Sequence, residues 1–469
     1  MFAEDTIAAI STPYGSGGIG IIRISGEKAF EIAGKIFKGR KSIESIKSHT
    51  INYGKIVDPK DGSVLDEVLL TKMKAPNTFT REDVIEINCH GGIVVLRKIL
   101  ELVIREGARL AEPGEFTKRA FLNGRIDLAQ AEAIIDIINA KTVQGSKIAL
   151  EQLEGKLSEK IKEVRDRLIE LIAHIEATLD YPEEDFDKIT EDKIYKGLNE
   201  IKAFLSNLLL DFDRGRVMKE GIKAVIAGRP NVGKSSLLNQ LAGYNRAIVT
   251  DIPGTTRDII EEYINIRGIP VKIVDTAGIR ETGDVVEKIG VEKTRKAIES
   301  ADLVILMIDA VDGFTAADTK MVELTKDRKA IILLNKADLV GNKPSVLEEC
   351  REKIRNELKK IGNSMSIIET SMKDGKGIDE LENEISRLFL QGEIEPDSQP
   401  LITNVRHAAL VEKALASINY AISGCDDQMP MDCVTIDIRN AAQFLGEITG
   451  ESVSDEILNQ IFERFCIGK

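Results

Sequence analysis

The sequence contains no C-x-x-C pair; its five cysteines, Cys89, Cys350, Cys425, Cys433 and Cys466, are scattered along 469 residues. That spacing argues against a disulfide framework or a zinc site and points to a reducing compartment. No apolar run reaches the roughly 18–20 residues needed to span a bilayer. The opening MFAEDTIAAISTP carries acids where a signal peptide would carry Lys or Arg. The expectation is a cytoplasmic chain with no membrane association. Positive charge is also scarce, with 64 basic against 77 acidic residues and a net −13. That balance argues against a broad nucleic-acid surface, but leaves room for a local RNA contact or one shared with a partner. There is no internal repeat and no low-complexity tract.

What is present is ample apolar material, 43% of residues, in a length that suits about three domains. Residues 1–120 read as mixed α/β. β-rich runs at 19–24, 64–73 and 84–88 are separated by Gly-rich turns at 14–18 and 90–92, and an apolar helix follows at 93–104. From about 127 the pattern turns helical. Leu150, Leu153, Leu157, Ile161, Val164, Leu168, Leu171, Ile175 and Leu179 predict one long amphipathic helix, stopped by Pro182. Ile194, Leu198, Ile201, Leu205, Leu208 and Phe212 predict a second. Strand–loop–helix alternation then runs from Ile222 to about Leu390, followed by the polar linker QGEIEPDSQP. A helix carrying Val405, Ala408, Val411, Leu415, Ile418 and Ile422 comes next, and a last one spans 454–465. Some 70 C-terminal residues make a small core alone, so they are expected to pack on the 127–212 helices. The expected class is α/β plus α: an N-terminal α/β domain (1–120), a helical domain in two parts (121–216 and 391–469), and a Ras-like P-loop G domain (217–390) inserted between them.

The P-loop pattern is Gly228-Arg-Pro-Asn231-Val232-Gly233-Lys234-Ser235-Ser236, after an apolar strand and before a helix. Its glycines let backbone N–H groups turn inward around phosphates, and the helix N-terminus adds partial positive charge. Lys234 neutralises the β/γ-phosphates and Ser235 coordinates Mg²⁺. Three companions follow in order. Asp275-Thr276-Ala277-Gly278 suits a hold on Mg²⁺ and the γ-phosphate. Asn335-Lys336-Ala337-Asp338 places a carboxylate for the two N–H donors of guanine, which adenine lacks. Ser371-Met372-Lys373 backs the base. Thr250-Asp251-Ile252-Pro253-Gly254-Thr255-Thr256 stands where switch I belongs, with Thr256 completing the Mg²⁺ shell. Ile279 occupies the place of the water-orienting Gln of Ras-like proteins. Catalysis must then use a nearby acid, an arginine or a bound cation; Asn231 with the 250–255 loop could hold a monovalent cation.

The blocks DTIAAISTPYGSGGIGIIRISG (5–26), PNTFTREDVIEINCHGG (76–92), PGEFTKRAFLNGRIDLAQAEA (113–133), GRPNVGKSSLLN (228–239), TDIPGTTRD (250–258), DTAGIRETGDVVEKIG (275–290) and the terminal CIGK resemble the tRNA uridine-modification GTPase family known as MnmE or TrmE. The resemblance spans the whole chain. It implies a homodimer that binds 5-formyl-tetrahydrofolate in its N-terminal domain. It also implies a heterotetramer with the flavin-dependent partner MnmG (GidA), which acts on the wobble uridine of certain tRNAs. By the same resemblance, K⁺ falls to Asn231, Thr250, Ile252 and Thr255, and Mg²⁺ to Ser235 and Thr256. The water-orienting acid is Glu287, and the folate contacts are Arg23, Glu82, Arg125 and Lys469. Arg125 stands where some relatives carry Lys, and Met372 replaces the usual Ala. Cys466 has two readings, a thiolate near the folate or an inert, partly buried small hydrophobe. His90 reads as a strand-end structural residue. A ribosome-assembly GTPase of the Era or EngA type would share the G elements, but neither a GXXG-type KH segment nor a second P-loop is present. A folate enzyme with a regulatory G domain, and a purely structural switch, are the remaining alternatives.

Overall fold

Alternation of apolar residues builds the first sheet. Strand Gly17–Ser25 buries Ile22 and Ile24, and strand Val84–Gly91 buries Ile85, Ile87 and Cys89. Residues of that phase meet helices Ala29–Ile36 and Ile93–Arg105 in one core. The other phase, with Arg23, Glu86, Asn88 and His90, lies on the opposite face. Seven strands are ordered Phe37–Gly39, Thr50–Val57, Val64–Met73, Val84–Gly91, Gly17–Ser25, Ile7–Ile10, Arg109–Leu110. The computed structural model describes residues 5–180, 187–244, 263–275, 295–341, 344–390 and 401–469.

The helix expected from Leu150 to Leu179 is two, Val143–Leu153 and Lys156–Asp180. Gly155 between them takes φ +94°, a conformation that ends helices. The apolar spacing survives the break, so sequence periodicity alone did not reveal it. The ends of the expected stripe, Leu150 and Leu179, are half exposed. Pro182 lies outside the described residues. Phe212 does not close the second stripe but opens a separate helix, Phe212–Glu220. The last helix is Asp455–Phe462, with the Ser454 hydroxyl accepting from the Ile457 N–H, and a helix Met431–Thr449 joins the expected set. Leu157 to Ile175 and Ile194 to Leu208 share a single core with Ala408 to Ile422 and Val434 to Ile448. Glu132 fastens the two stretches. It accepts from Arg406 Nη2 at 2.7 Å and Nε at 3.0 Å, and pairs with His407 Nε2 at 2.6 Å. Burial works against its charge, but the pairing with His407 and Arg406 holds the carboxyl down at about 2.

The second sheet runs Ser366–Glu369, Lys329–Asn335, Leu303–Asp309, Ile222–Gly228, Ile269–Asp275, Tyr263–Ile266, parallel except for the last strand. Its strands are apolar on both faces: Ala224 and Ile226 enter one core, Val225 and Ala227 the other. Ile148, Val217 and Met218 of the helical stretch join the first of these cores. Lys141 Nζ sits 3.6 Å from the centroid of the Tyr263 ring. Among the described residues no helix is long and apolar enough to cross a membrane.

Candidate functional site

The nucleotide elements gather at the carboxyl ends of the parallel strands, where open α/β sheets bind ligands. Strand Ile222–Gly228 leads into the P-loop and helix Lys234–Tyr244 leaves it. Asn231 and Gly233 take φ +63° and +107°, which lets the loop curl. A side chain at Gly233 would strike the Asn335 amide. Lys234 is 9% exposed and donates to the carbonyls of Gly228 at 2.9 Å and Arg229 at 2.7 Å, so it folds back over the loop. Val232 is buried, while Asn231, Ser235 and Ser236 are exposed.

Asn335 ends its strand 2% exposed. Its amide donates to the Val232 carbonyl at 2.7 Å, and its Oδ1 accepts from the Met372 N–H at 3.2 Å and the Thr370 hydroxyl at 3.4 Å. One side chain therefore joins the P-loop to the 370–372 loop. Ala337 N–H donates to the Thr370 carbonyl at 3.1 Å, drawing the 335–338 element into the same knot. Lys336, at φ +63°, pairs with Asp309 at 2.6 Å. Asp338 is exposed at the head of the short helix Ala337–Val340, with its carboxylate open to donors. The Met372 side chain is buried in the G-domain core, and its carbonyl accepts from Gln240 Nε2 at 3.1 Å. The Ala-to-Met departure thus falls on a side chain turned into apolar packing. Ser371 is buried with its hydroxyl on Asp374 at 3.1 Å, and Lys373 is exposed. Sequence reading passed over Arg229, whose guanidinium pairs with the fully buried Asp318 at 3.1 Å and pins the loop from below. Thr250, Asp251, Ile252, Pro253, Gly254, Thr255 and Thr256, with Thr276, Ala277, Gly278 and Glu287, lie outside the described residues. Asp275 closes the strand Ile269–Asp275.

A second cluster forms on the N-terminal sheet. Arg23 Nε donates to Glu86 at 2.9 Å, and its Nη1 to the carbonyl of Gly468 at 3.1 Å. Its guanidinium carbon lies 5.7 Å from the centroid of the Phe116 ring. The C-terminal residues are seated here: Ile467 bridges Pro113, and Gly114 N–H donates to the Cys466 carbonyl at 3.3 Å. Gly468 takes φ +92°, and a Cβ there would lie 2.5 Å from the Ile10 carbonyl oxygen. Lys469 follows, with its N–H on the Cys466 carbonyl at 3.3 Å. Cys466 is exposed, unlike the inert, partly buried residue of the alternative reading. Glu82 accepts from the Ser25 hydroxyl at 2.7 Å, two residues along the strand from Arg23. Arg125 donates to the Thr78 carbonyl and lies 5.2 Å from the centroid of Phe79. The four expected residues thus share one region, Arg23 and Lys469 by the docked tail, Glu82 and Arg125 by the 78–82 loop. His90 pairs with Asp66 at 2.7 Å. Cys89 is buried, which pushes its thiol up to about 11. Arg119, which donates to Glu82, and Asp5, which accepts from Arg119, were missed. The signal for Arg119 was only the density of charge in the 113–119 block.

A family model of the MnmE helical domain matches residues 128–466, and one of the GTP-binding protein TrmE N-terminus matches residues 6–125. The chain is 61% identical over 469 residues to the tRNA modification GTPase MnmE of Acetivibrio thermocellus, covering 100% of both. It is 51% identical over 471 residues to that of Clostridioides difficile, again covering 100% of both. Among solved structures, Era of Aquifex aeolicus bound to GDP and AlF4⁻ shares 30% identity, with a TM-score of 0.29, over 42% of this chain and 66% of that one. The two family models and the full-length identity make the chain a member of the MnmE family of tRNA modification GTPases.

Proposed function

We propose that this GTPase acts as a homodimer with a flavin-dependent partner of the MnmG type to add an aminomethyl or carboxymethylaminomethyl group to C5 of a wobble uridine. A folate one-carbon unit is the source. The chain is organised as a G domain (217–390) inserted in a helical domain (121–216 and 391–469), behind an N-terminal folate domain (1–120). The core shared by the helices on both sides of the G domain supports that organisation. Activity is cytoplasmic, and the partner supplies much of the tRNA surface, in keeping with the net charge of −13.

At the nucleotide, Gly233 and the loop amides cradle the phosphates, Lys234 neutralises the β/γ-phosphates, and Asp338 reads guanine. The exposed Ser235 at the helix N-terminus, with Thr256, suits Mg²⁺. Asn231, Thr250, Ile252 and Thr255 suit K⁺, which neutralises developing charge between the phosphates when bound, and Glu287 orients the attacking water. Arg23, Glu82, Arg125 and Lys469 hold the folate, and the exposed Cys466 thiol lies at the same docked tail. The observation that carries the reading is the seating of Gly468 on Arg23, 445 positions away, which brings the terminal CIGK to the N-terminal domain.

The test is steady-state GTP hydrolysis in matched K⁺ and Na⁺ buffers, for wild type and Asn231→Ala. Strong K⁺ stimulation, lost in the variant, is expected. Equal rates in both salts would remove the cation-assisted mechanism and return catalysis to an arginine or a partner-supplied activator.

A further inference from the structure

We propose that Arg119 is a positioning residue that fixes the Glu82 carboxylate for two adjacent N–H donors of a pterin ring, an assignment that rests on the folate reading above. Arg119 lies on helix Glu115–Leu122, one turn beyond Glu115, and is 8% exposed. Its Nη1 donates to both Glu82 oxygens, at 3.1 and 3.3 Å, and its Nη2 to Asp5 at 2.6 Å and Glu115 at 3.0 Å. Arg109 reaches only the latter two, Asp5 at 2.8 Å and Glu115 at 2.6 and 3.1 Å.

Two guanidiniums therefore serve three carboxylates, leaving one negative charge uncompensated. Asp5 and Glu115 are each bridged by both arginines. Burial opposes their charge, and the arginines more than offset it, so both carboxyls sit below their ordinary range. Glu82 has one guanidinium nitrogen and the Ser25 hydroxyl. A carboxylate accepts about four hydrogen bonds, so Glu82 keeps acceptor capacity. A neutral heterocycle presenting a ring N–H beside an amino group matches that capacity without importing charge. The planar fork of Arg119 ties Glu82 to Asp5 and Glu115 through two nitrogens held apart in one rigid plane, a geometry that a compact ammonium does not reproduce. The same helix end steadies the loop beside Glu82, since Asn123 Nδ2 donates to the Thr80 carbonyl at 2.6 Å and Arg81 Nη1 to the Asn123 carbonyl at 2.9 Å.

The experiment is calorimetric binding of 5-formyl-tetrahydrofolate to the full chain, with thermal unfolding alongside, for Arg119→Gln, Arg119→Lys, Arg109→Gln, Glu82→Gln and the double variant Arg119→Gln/Glu82→Gln. Loss of a hydrogen bond to a charged group predicts about tenfold weaker binding for Arg119→Gln and for Glu82→Gln. The double variant should be no more than about threefold worse than either, because both act on one carboxylate. Arg109→Gln should lower the melting temperature as Arg119→Gln does, yet bind normally, since it does not touch Glu82. Arg119→Lys keeps the charge, should fold, and should still bind severalfold more weakly. If Arg119→Gln and Arg119→Lys bind as wild type while Glu82→Gln is impaired, Arg119 has no positioning role. Independent, multiplying losses would overturn it too. Normal binding by Glu82→Gln removes the folate reading of Glu82, and Arg119's role with it.

Discussion

The nucleotide site and the N-terminal site are built in opposite ways. Each described nucleotide element is a short contiguous motif at the end of its own parallel strand, and the loop conformation turns backbone groups toward the site. The sheet delivers the elements to one edge, and side-chain ties such as those of Asn335 and of Arg229 to Asp318 fasten them there. The N-terminal site has no such motif. Arg23, Glu82, Arg119 and Gly468 come from a strand, a loop, a helix and the far C-terminus, joined by side-chain bonds. A contiguous motif carries its geometry with it, whereas a dispersed site depends on the packing of everything between its parts. Helices supply part of that packing, because Leu458, Phe462 and Phe465, just before the tail, meet Leu128 and Ala131 of helix Leu128–Asn139 in one core.

The comparison breaks most sharply at Glu132. Glu132→Gln leaves the buried His407 and the half-buried Arg406 without their carboxylate, and should cost about 3–5 kcal/mol in chemical unfolding. Its carboxyl is held at about 2 against an ordinary 4.5, so the wild-type contribution is complete above 4.5 and fades as pH falls toward 2. Stability of wild type should fall with acid across that window, and the variant should lack this part of the slope. If the dispersed site depends on the helical core as argued, folate affinity should fall in this variant before GTP affinity does.

A second break is Gly468→Ala. The added Cβ meets the Ile10 carbonyl at a left-handed position, so undocking of the tail is expected. Overpacking and backbone strain of about 1–3 kcal/mol should weaken folate binding by roughly ten- to a hundredfold. GTP affinity should stay unchanged, as a nucleotide-binding titration of the same sample would reveal.

Asn335→Ala sharpens the contrast from the other side. It removes a long-range tie in the nucleotide site and leaves the Met372 N–H and Val232 carbonyl without that partner, so GTP affinity should drop by about 1–2 kcal/mol while folate binding holds. The smallest effect is expected for Tyr263→Ala, which loses the contact with Lys141. Affinities for GTP and folate should change little, and thermal stability by about 0.5–1 kcal/mol.

Much of the first site was legible in residues 228–236, 335–338 and 371–373, because the chemistry there is local. The helical stripes were legible as core, but their ends were not. The break at Gly155 and the restart at Phe212 keep the three-and-four spacing, so periodicity runs straight through both. Resemblance pointed to Arg23, Glu82, Arg125 and Lys469, but nothing in spacing named Arg119 or Asp5, whose partners lie 37 and 114 positions apart.

The sequence by itself determined the P-loop and its companion elements, the alternation that buries each sheet and the family. Tertiary structure alone decided that the C-terminal CIGK sits on the first sheet, that Asn335 turns inward to tie two loops, and that Arg119 holds the Glu82 carboxylate. The physical reason is range: backbone conformation and periodicity are set by neighbours along the chain. A hydrogen bond between side chains hundreds of positions apart exists only once the intervening cores have closed.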